Sequence, residues 1–115
     1  MIFFIIVIEL IYTFYMEIKE IIERIAYFRN IKNTSARALS ENIGKSSNYI
    51  NRLESLCFNI PTSVLLEIID TLGISPEEFF ASNYKSYKKD SELCDLIKNM
   101  SVEKKNSLID LIKHM

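Results

Sequence analysis

The chain has 115 residues, which suits one compact domain with an appendage better than two full domains. Apolar residues make up 49%, enough for a core, but only two glycines and two prolines are present. This composition disfavours the many turns of a β-sandwich or barrel, and the net charge of −1 taken alone argues against nucleic acid. Long periodic segments with few breakers therefore predict an all-α fold.

Residues 1–15 are almost wholly apolar and form an N-terminal extension. The run is shorter than the roughly 20 residues of a membrane-spanning helix, and it lacks the Lys or Arg that precedes the apolar part of a signal peptide. Three interpretations stay open. The segment extends the first helix or covers an apolar patch, it tethers the protein to a membrane with the rest cytoplasmic, or it is upstream sequence before a working start at Met16.

Residues 16–81 are predicted to form one domain of five helices. Apolar periodicity, Ser or Thr caps and the two glycines give their limits. The first helix covers 17–31, a second runs from a cap at Thr34 or Ser35 to Ile43, and a third runs from Ser46 or Ser47 to about Ser55. The fourth begins at Thr62 or Ser63 and ends at Gly73. The fifth begins at Ser75 and Pro76 and is expected to turn both Phe79 and Phe80 inward.

Residues 82–90 are polar and predict a linker, and residues 91–115 predict a C-terminal helical pair with a Ser101 cap between the two helices. Each of these helices has a narrow apolar stripe. A pair of this size has too little core to stand alone. We therefore expect the stripes to pack on the domain or on a second chain, and a homodimer is the expected assembly.

Opposite charges are separated along the chain. Residues 24–52 contain six Lys or Arg and one Glu, a local charge of +5, whereas residues 53–81 contain five acids and no Lys or Arg, a local charge of −5. A basic face is what phosphate binding requires, because Lys and Arg release the counterions of DNA.

The basic block contains the pattern of a helix-turn-helix at about residues 35–55. Small, apolar and turn-forming residues stand where two closely crossing helices need them: Leu39, Ser40, Ile43, Gly44, Ile50 and Leu53. The outward side of the third predicted helix then carries only hydrogen-bond donors and no acid: Lys45, Ser46, Ser47, Asn48, Asn51 and Arg52. Asn can bind adenine and Arg guanine in the major groove.

The stretches ARALSENIGKSSNYINRLES and PTSVLLEIIDTLGISPEEFF resemble the lambda-repressor-like, Cro/CI (XRE) type of helix-turn-helix protein, over about residues 17–81. The resemblance implies a five-helix domain with its third helix, about 46–55, in the major groove of double-stranded DNA. It also places Met16 close to where such proteins begin. The chain departs from the family at three positions. Family members often have Gln where this chain has Ala36, and a basic residue where it has Cys57. They usually have Gly shortly after the Glu that ends the third helix, whereas this chain has Leu56 there.

Carried over from the family, the candidates for base contacts are Ser47, Asn48, Asn51 and Arg52. The candidates for phosphate contacts are Arg37, Lys45 and Ser46. Arg29 and Lys32 are expected to extend the basic strip, and Glu54 is expected to pair internally with Arg29 or Arg52. Tyr49 is expected to pack between helices or to lie on the sugar backbone.

No enzymatic or metal chemistry is indicated. Cys57, Cys94 and His114 are too few for a four-ligand zinc site, and two glycines cannot form a phosphate-binding loop. We expect no cofactor and no catalysis. The prediction is a cytoplasmic, sequence-specific transcriptional regulator that binds DNA as a dimer. The alternative is a dimerisation or protein-interaction module with weak or no DNA binding, with a membrane tether through residues 1–15 as a variant of either.

Overall fold

The computed structural model describes residues 1–14 and 16–115, with side chains for residues 1–8 and 16–115. All regular structure in these residues is helical, as predicted. The eight helices are α1 (Ile2–Phe14), α2 (Ile18–Ile31), α3 (Ala36–Asn42), α4 (Tyr49–Leu56), α5 (Thr62–Thr71), α6 (Pro76–Phe80), α7 (Tyr87–Lys98) and α8 (Val102–Lys113). Within this described part, none of the helices combines the length and apolar character that crossing a membrane requires.

The chain divides into two compact units, residues 1–79 (unit 1) and residues 80–115 (unit 2). The core of unit 1 is formed by the inner faces of α2 to α6 and the ends of the loops between them. Its fully buried large side chains are Ile25, Phe28, Leu39, Ile50, Leu53, Ile68 and Phe79. The helices α7 and α8 of unit 2 contain no buried residue.

Phe79 fixes the end of α6 to α2 inside unit 1. Its ring lies 5.9 Å from that of Phe28, and its carbonyl oxygen accepts a 2.7 Å hydrogen bond from Nη1 of the buried Arg24. The next residue, Phe80, is 43% exposed, so the prediction that both rings turn inward is wrong for Phe80. Successive residues of a helix point about 100° apart, and in α6 the buried side is that of Glu78 and Phe79, which leaves Phe80 directed toward solvent.

Local capping rules predicted several helix limits correctly. Ser35, Ser75 and Ser101 each accept a hydrogen bond on Oγ from the backbone N–H three residues later. Gly44 and Gly73 adopt the left-handed conformation, with φ of 73° and 70°, after α3 and α5. A left-handed residue after a helix is the usual place for glycine.

Two predicted helix starts differ from the structure. The helix expected from Ser46 or Ser47 begins at Tyr49 as α4, because residues 46–48 form a turn in which Tyr49 N donates to Ser46 O at 3.0 Å. The helix expected after a linker at 82–90 begins as α7 at Tyr87. The side chains of Ser86 and Asp90 hydrogen-bond to each other at 2.9 Å across its first turn.

The N-terminal extension forms a helix of its own, α1, and it does not simply continue α2. The side chains of residues 2–6 are exposed, and Phe3 is the most exposed of them at 80%. Tyr15, the last residue assigned to the extension, lies outside the described residues. The expectation that the segment extends the first predicted helix is therefore wrong, because residues 16–17 are not helical. The cover for an apolar patch, the membrane tether and the upstream sequence before Met16 stay predictions.

Candidate nucleic-acid interface

Ser40 holds α3 and α4 together at their crossing. It is fully buried, and its Oγ donates to Ala36 O at 2.7 Å and accepts from Ile50 N at 2.9 Å. The first N–H groups of a helix have no partner inside that helix, so Ser40 supplies an acceptor for one that would otherwise be buried unpaired. The sequence required only a small residue here. The structure shows that its hydroxyl also joins the two helices by hydrogen bonds.

The turn between α3 and α4 is closed by main-chain bonds around Gly44. Gly44 N donates to Glu41 O at 3.0 Å and Lys45 N donates to Ser40 O at 2.9 Å. With Gly44 at positive φ, the chain reverses and α4 packs against α3 through Ile50 and Leu53, both fully buried. Because these two residues fix the rotation of α4, the residues on its other side are directed outward.

The predicted base-contact residues lie on that outward side and on the turn before it. Ser47, Asn48, Asn51 and Arg52 are all exposed. Ser46 Oγ donates to Asn48 Oδ1 at 2.9 Å, which leaves the two amide N–H donors of Asn48 available. In the described part of the chain, the guanidinium of Arg52 has no hydrogen-bond or ion-pair partner. The structure thus brings these four side chains together on one exposed face.

The Lys and Arg side chains of the basic block, residues 24–52, differ in whether they already bind partners within the protein. Arg29 Nε and Nη2 bind both oxygens of Glu54 at 2.9 and 3.0 Å, and Nη1 binds Thr34 O at 3.1 Å. Both partners are largely shielded, with side-chain exposures of 15% and 18%. The internal pairing of Glu54 is therefore confirmed, and the expectation that Arg29 extends the basic strip is wrong.

Arg37 and Lys45, the predicted phosphate contacts, are both exposed. Arg37 Nε lies 3.0 Å from Glu41 Oε1 in a pair that is 77% and 54% exposed. An exposed pair of this kind is weak, so Arg37 can exchange Glu41 for a phosphate. Lys45 Nζ lies 5.5 Å from the centre of the Tyr49 ring, and Ser46 lies beside it on the same turn.

The structure adds an aromatic contact that the sequence did not predict. Tyr49, at the start of α4, meets Phe58 edge to face with ring centres 5.7 Å apart. Phe58 reaches it because Cys57 ends α4 in the left-handed conformation, with φ of 50°. Tyr49 therefore packs against the loop after α4. No short-range pattern links residues nine positions apart across a chain reversal, so the sequence offered no signal for this pair.

The comparisons with known proteins agree with this geometry. Residues 25–79 match a family model described as helix-turn-helix. This stretch begins within α2 and ends at Phe79 in α6, so it includes residues of all five helices from α2 to α6. No curated protein and no solved structure matches the chain significantly. The family is one of DNA-binding domains and not of enzymes. Residues 25–79 therefore belong to the helix-turn-helix family of the lambda-repressor-like Cro/CI (XRE) type.

Proposed function

We propose that this protein is a sequence-specific transcriptional regulator that inserts α4 into the major groove of double-stranded DNA. The observation that carries the proposal is the outward face of the turn and of α4. It presents Ser47, Asn48, Asn51 and the guanidinium of Arg52, which has no partner among the described residues, and it carries no acid. Such a face can donate to the base edges of the major groove, where each base pair presents a different pattern of acceptors.

Roles within the face follow from position and chemistry. Asn48 and Arg52 are four residues apart, one helical turn, so both can reach base edges together, with Ser47 and Asn51 beside them. Lys45, Ser46 and Arg37 lie around the turn and on α3, where we place the phosphate contacts. Phosphate contacts fix position, whereas base contacts carry the sequence preference.

We also propose that DNA is bound by a homodimer, at half-sites about one helical turn apart. One small domain makes few contacts, and unit 2 presents an apolar stripe that needs a cover. On α8 the stripe includes Leu111 at 64% and Ile112 at 58% exposure, and α7 contributes Leu96 at 61%.

A full-length chain with Leu111→Glu and Ile112→Glu should have the mass of a monomer in sedimentation. A Glu103→Gln variant is the control. An unchanged mass in the double variant would contradict this arrangement.

The experiment that tests the function is selection of bound sequences from random duplex DNA, followed by affinity measurements at several salt concentrations. A DNA-binding protein should enrich one motif and lose affinity steeply with salt. Arg52→Ala should weaken the selected site by about 1–3 kcal/mol and change binding to random DNA little. Equal losses on both DNAs would exclude Arg52 from base recognition.

The second candidate function is a protein-interaction module that keeps the fold without the DNA contact, because fold does not fix function. Two observations favour it. Leu56, at the end of α4, is 66% exposed, and residues 57–61 contain no Lys or Arg where the family resemblance leads one to expect a phosphate contact. Failure to enrich any DNA sequence, together with salt-insensitive binding to a protein partner, would favour this candidate.

A further inference from the structure

The loop after α4 is joined to the turn before α4 through three side chains in a row. Lys45 Nζ lies 5.5 Å from the centre of the Tyr49 ring, and Tyr49 meets the ring of Phe58 edge to face at 5.7 Å. Both distances are within the range of favourable cation–π and aromatic contacts. The three residues thus connect two loops that flank the exposed face of α4.

The middle residue of this row is held from both sides. Tyr49 and Phe58 are each half-buried, whereas Lys45 is exposed, so the two rings form the fixed part and the ammonium is the accessible end. The main chain of Lys45 is also fixed, because its N–H donates to Ser40 O at 2.9 Å. A lysine side chain has many rotamers, and ordering them is unfavourable for binding.

We propose that Tyr49 and Phe58 are positioning residues for Lys45, holding its ammonium ready for a DNA phosphate. The loop at residues 57–61 has no cation of its own. It therefore contributes to DNA affinity through Lys45 instead of by touching a phosphate itself. This inference rests on the proposed function, since it requires that the protein binds DNA.

The test is a double-mutant cycle on the full chain, with a random-sequence duplex of about 24 base pairs, long enough for two half-sites one helical turn apart. Lys45→Ala should make the slope of log affinity against log salt shallower by about 0.9 for each Lys45 that contacts a phosphate, which is about 1.8 for a dimer on two half-sites. Tyr49→Leu should weaken binding about two- to fivefold, the range that a surface cation–π contact supports. In the Lys45→Ala background, Tyr49→Leu should have almost no further effect.

Tyr49→Phe is the matched control, because it keeps the ring and removes the hydroxyl. It should bind like the unmodified chain. If Tyr49→Phe loses as much affinity as Tyr49→Leu, the hydroxyl contacts DNA and the inference is wrong. Equal losses from Tyr49→Leu with and without Lys45 would also overturn it, since Tyr49 would then act independently of the ammonium.

A measurement without DNA separates this inference from the proposed function. In the free protein, the ε-methylene protons of Lys45 should be shifted upfield by the Tyr49 ring, and the shift should disappear in Tyr49→Leu. Phe58→Leu gives a second variant that keeps the Tyr49 ring but removes the aromatic contact that orders it, so it should reduce the shift partially. An ordinary chemical shift for Lys45 in the unmodified chain would reject the positioning role. A normal upfield shift in a chain with no salt-dependent DNA binding would reject the proposed function.

Discussion

Units 1 and 2 are both helical, but only unit 1 has a hydrophobic core. In unit 1, each helix from α2 to α6 buries at least two residues, and seven large side chains are fully buried. In unit 2, α7 and α8 have apolar stripes of similar spacing and bury none. An apolar stripe therefore predicts an amphipathic helix, which is stabilised when another apolar surface packs on the stripe. It does not identify which surface that is.

The polar contacts differ between the units in the same way. In unit 1, Arg24 reaches Phe79 and Arg29 reaches Glu54, across 55 and 25 positions of the chain. At the start of α7 in unit 2 the side-chain hydrogen bonds are local, and the one between Asn83 and Asp90 spans seven positions. Long-range contacts tie unit 1 into one cooperative structure, whereas local contacts stabilise single helix turns.

The largest effect on stability is expected at Phe79, the last residue of unit 1, compared with Phe80, the first residue of unit 2. Phe79→Ala should lower the free energy of unfolding by about 3–5 kcal/mol, because it opens a cavity beside Phe28. Phe80→Ala is the matched control in unit 2, with about 1 kcal/mol or less. Denaturant unfolding followed by circular dichroism measures both. Similar losses for the two variants would break the distinction between a packed unit and an exposed one.

The second effect concerns the long-range ion pair of unit 1. A double-mutant cycle with Arg29→Met and Glu54→Gln should give a coupling free energy of about 1.5–3 kcal/mol, since the pair is bidentate and shielded. The same cycle with Arg37→Met and Glu41→Gln is the control and should give about 0.3–0.5 kcal/mol. A coupling for Arg29 and Glu54 no larger than the control would mean that solvent screens this pair too.

The third comparison uses one cysteine from each unit. Cys57→Gly should stabilise the protein by about 0.5–1 kcal/mol. Relief of the left-handed conformation, about 1–2 kcal/mol, exceeds the entropy that glycine loses on folding. Cys94→Ala, on the exposed surface of α7, should change the free energy of unfolding by about 0.5 kcal/mol or less. Destabilisation by Cys57→Gly would show that its side chain makes a contact worth more than the strain.

Short-range rules predicted most of the helix-turn-helix and failed where distant residues decide. Gly44, the Ser35 cap and the inward pair Ile50 and Leu53 follow from local conformation and periodicity, and the structure has all of them. The start of α4 did not follow, because several adjacent side chains can cap a helix.

The candidate site shows the same limit. Its exposed donors were predictable because helical periodicity places them away from Ile50 and Leu53, the buried residues of α4. The sequence left Glu54 a choice between Arg29 and Arg52, and only the packing of α4 against α2 selects Arg29. That selection leaves Arg52 available on the outer face. The aromatic support of Lys45 was not predictable, because it depends on the left-handed turn at Cys57.

The smallest effect is a pH dependence at the start of α7 in unit 2. Asn83 Nδ2 and Ser86 Oγ donate to Asp90 Oδ2 at 2.7 and 2.9 Å, and these bonds lower the pKa of Asp90 below its ordinary value of 3.8. A carboxyl group with a lowered pKa in the folded state stabilises that state above the unfolded pKa. This contribution is lost as the pH falls through the folded value. The helix start should therefore weaken only below about pH 3.8.

In an NMR titration, Asn83→Ala should return the pKa of Asp90 toward 3.8. The control is Asn106→Ala, which removes an exposed asparagine on α8 and should leave the pKa of Asp90 unchanged. Because Asp90 is fully exposed, the effect is confined to local helix content. A loss of the folded core of unit 1 over the same pH range in Asn83→Ala would show that the effect is not local and would contradict this prediction.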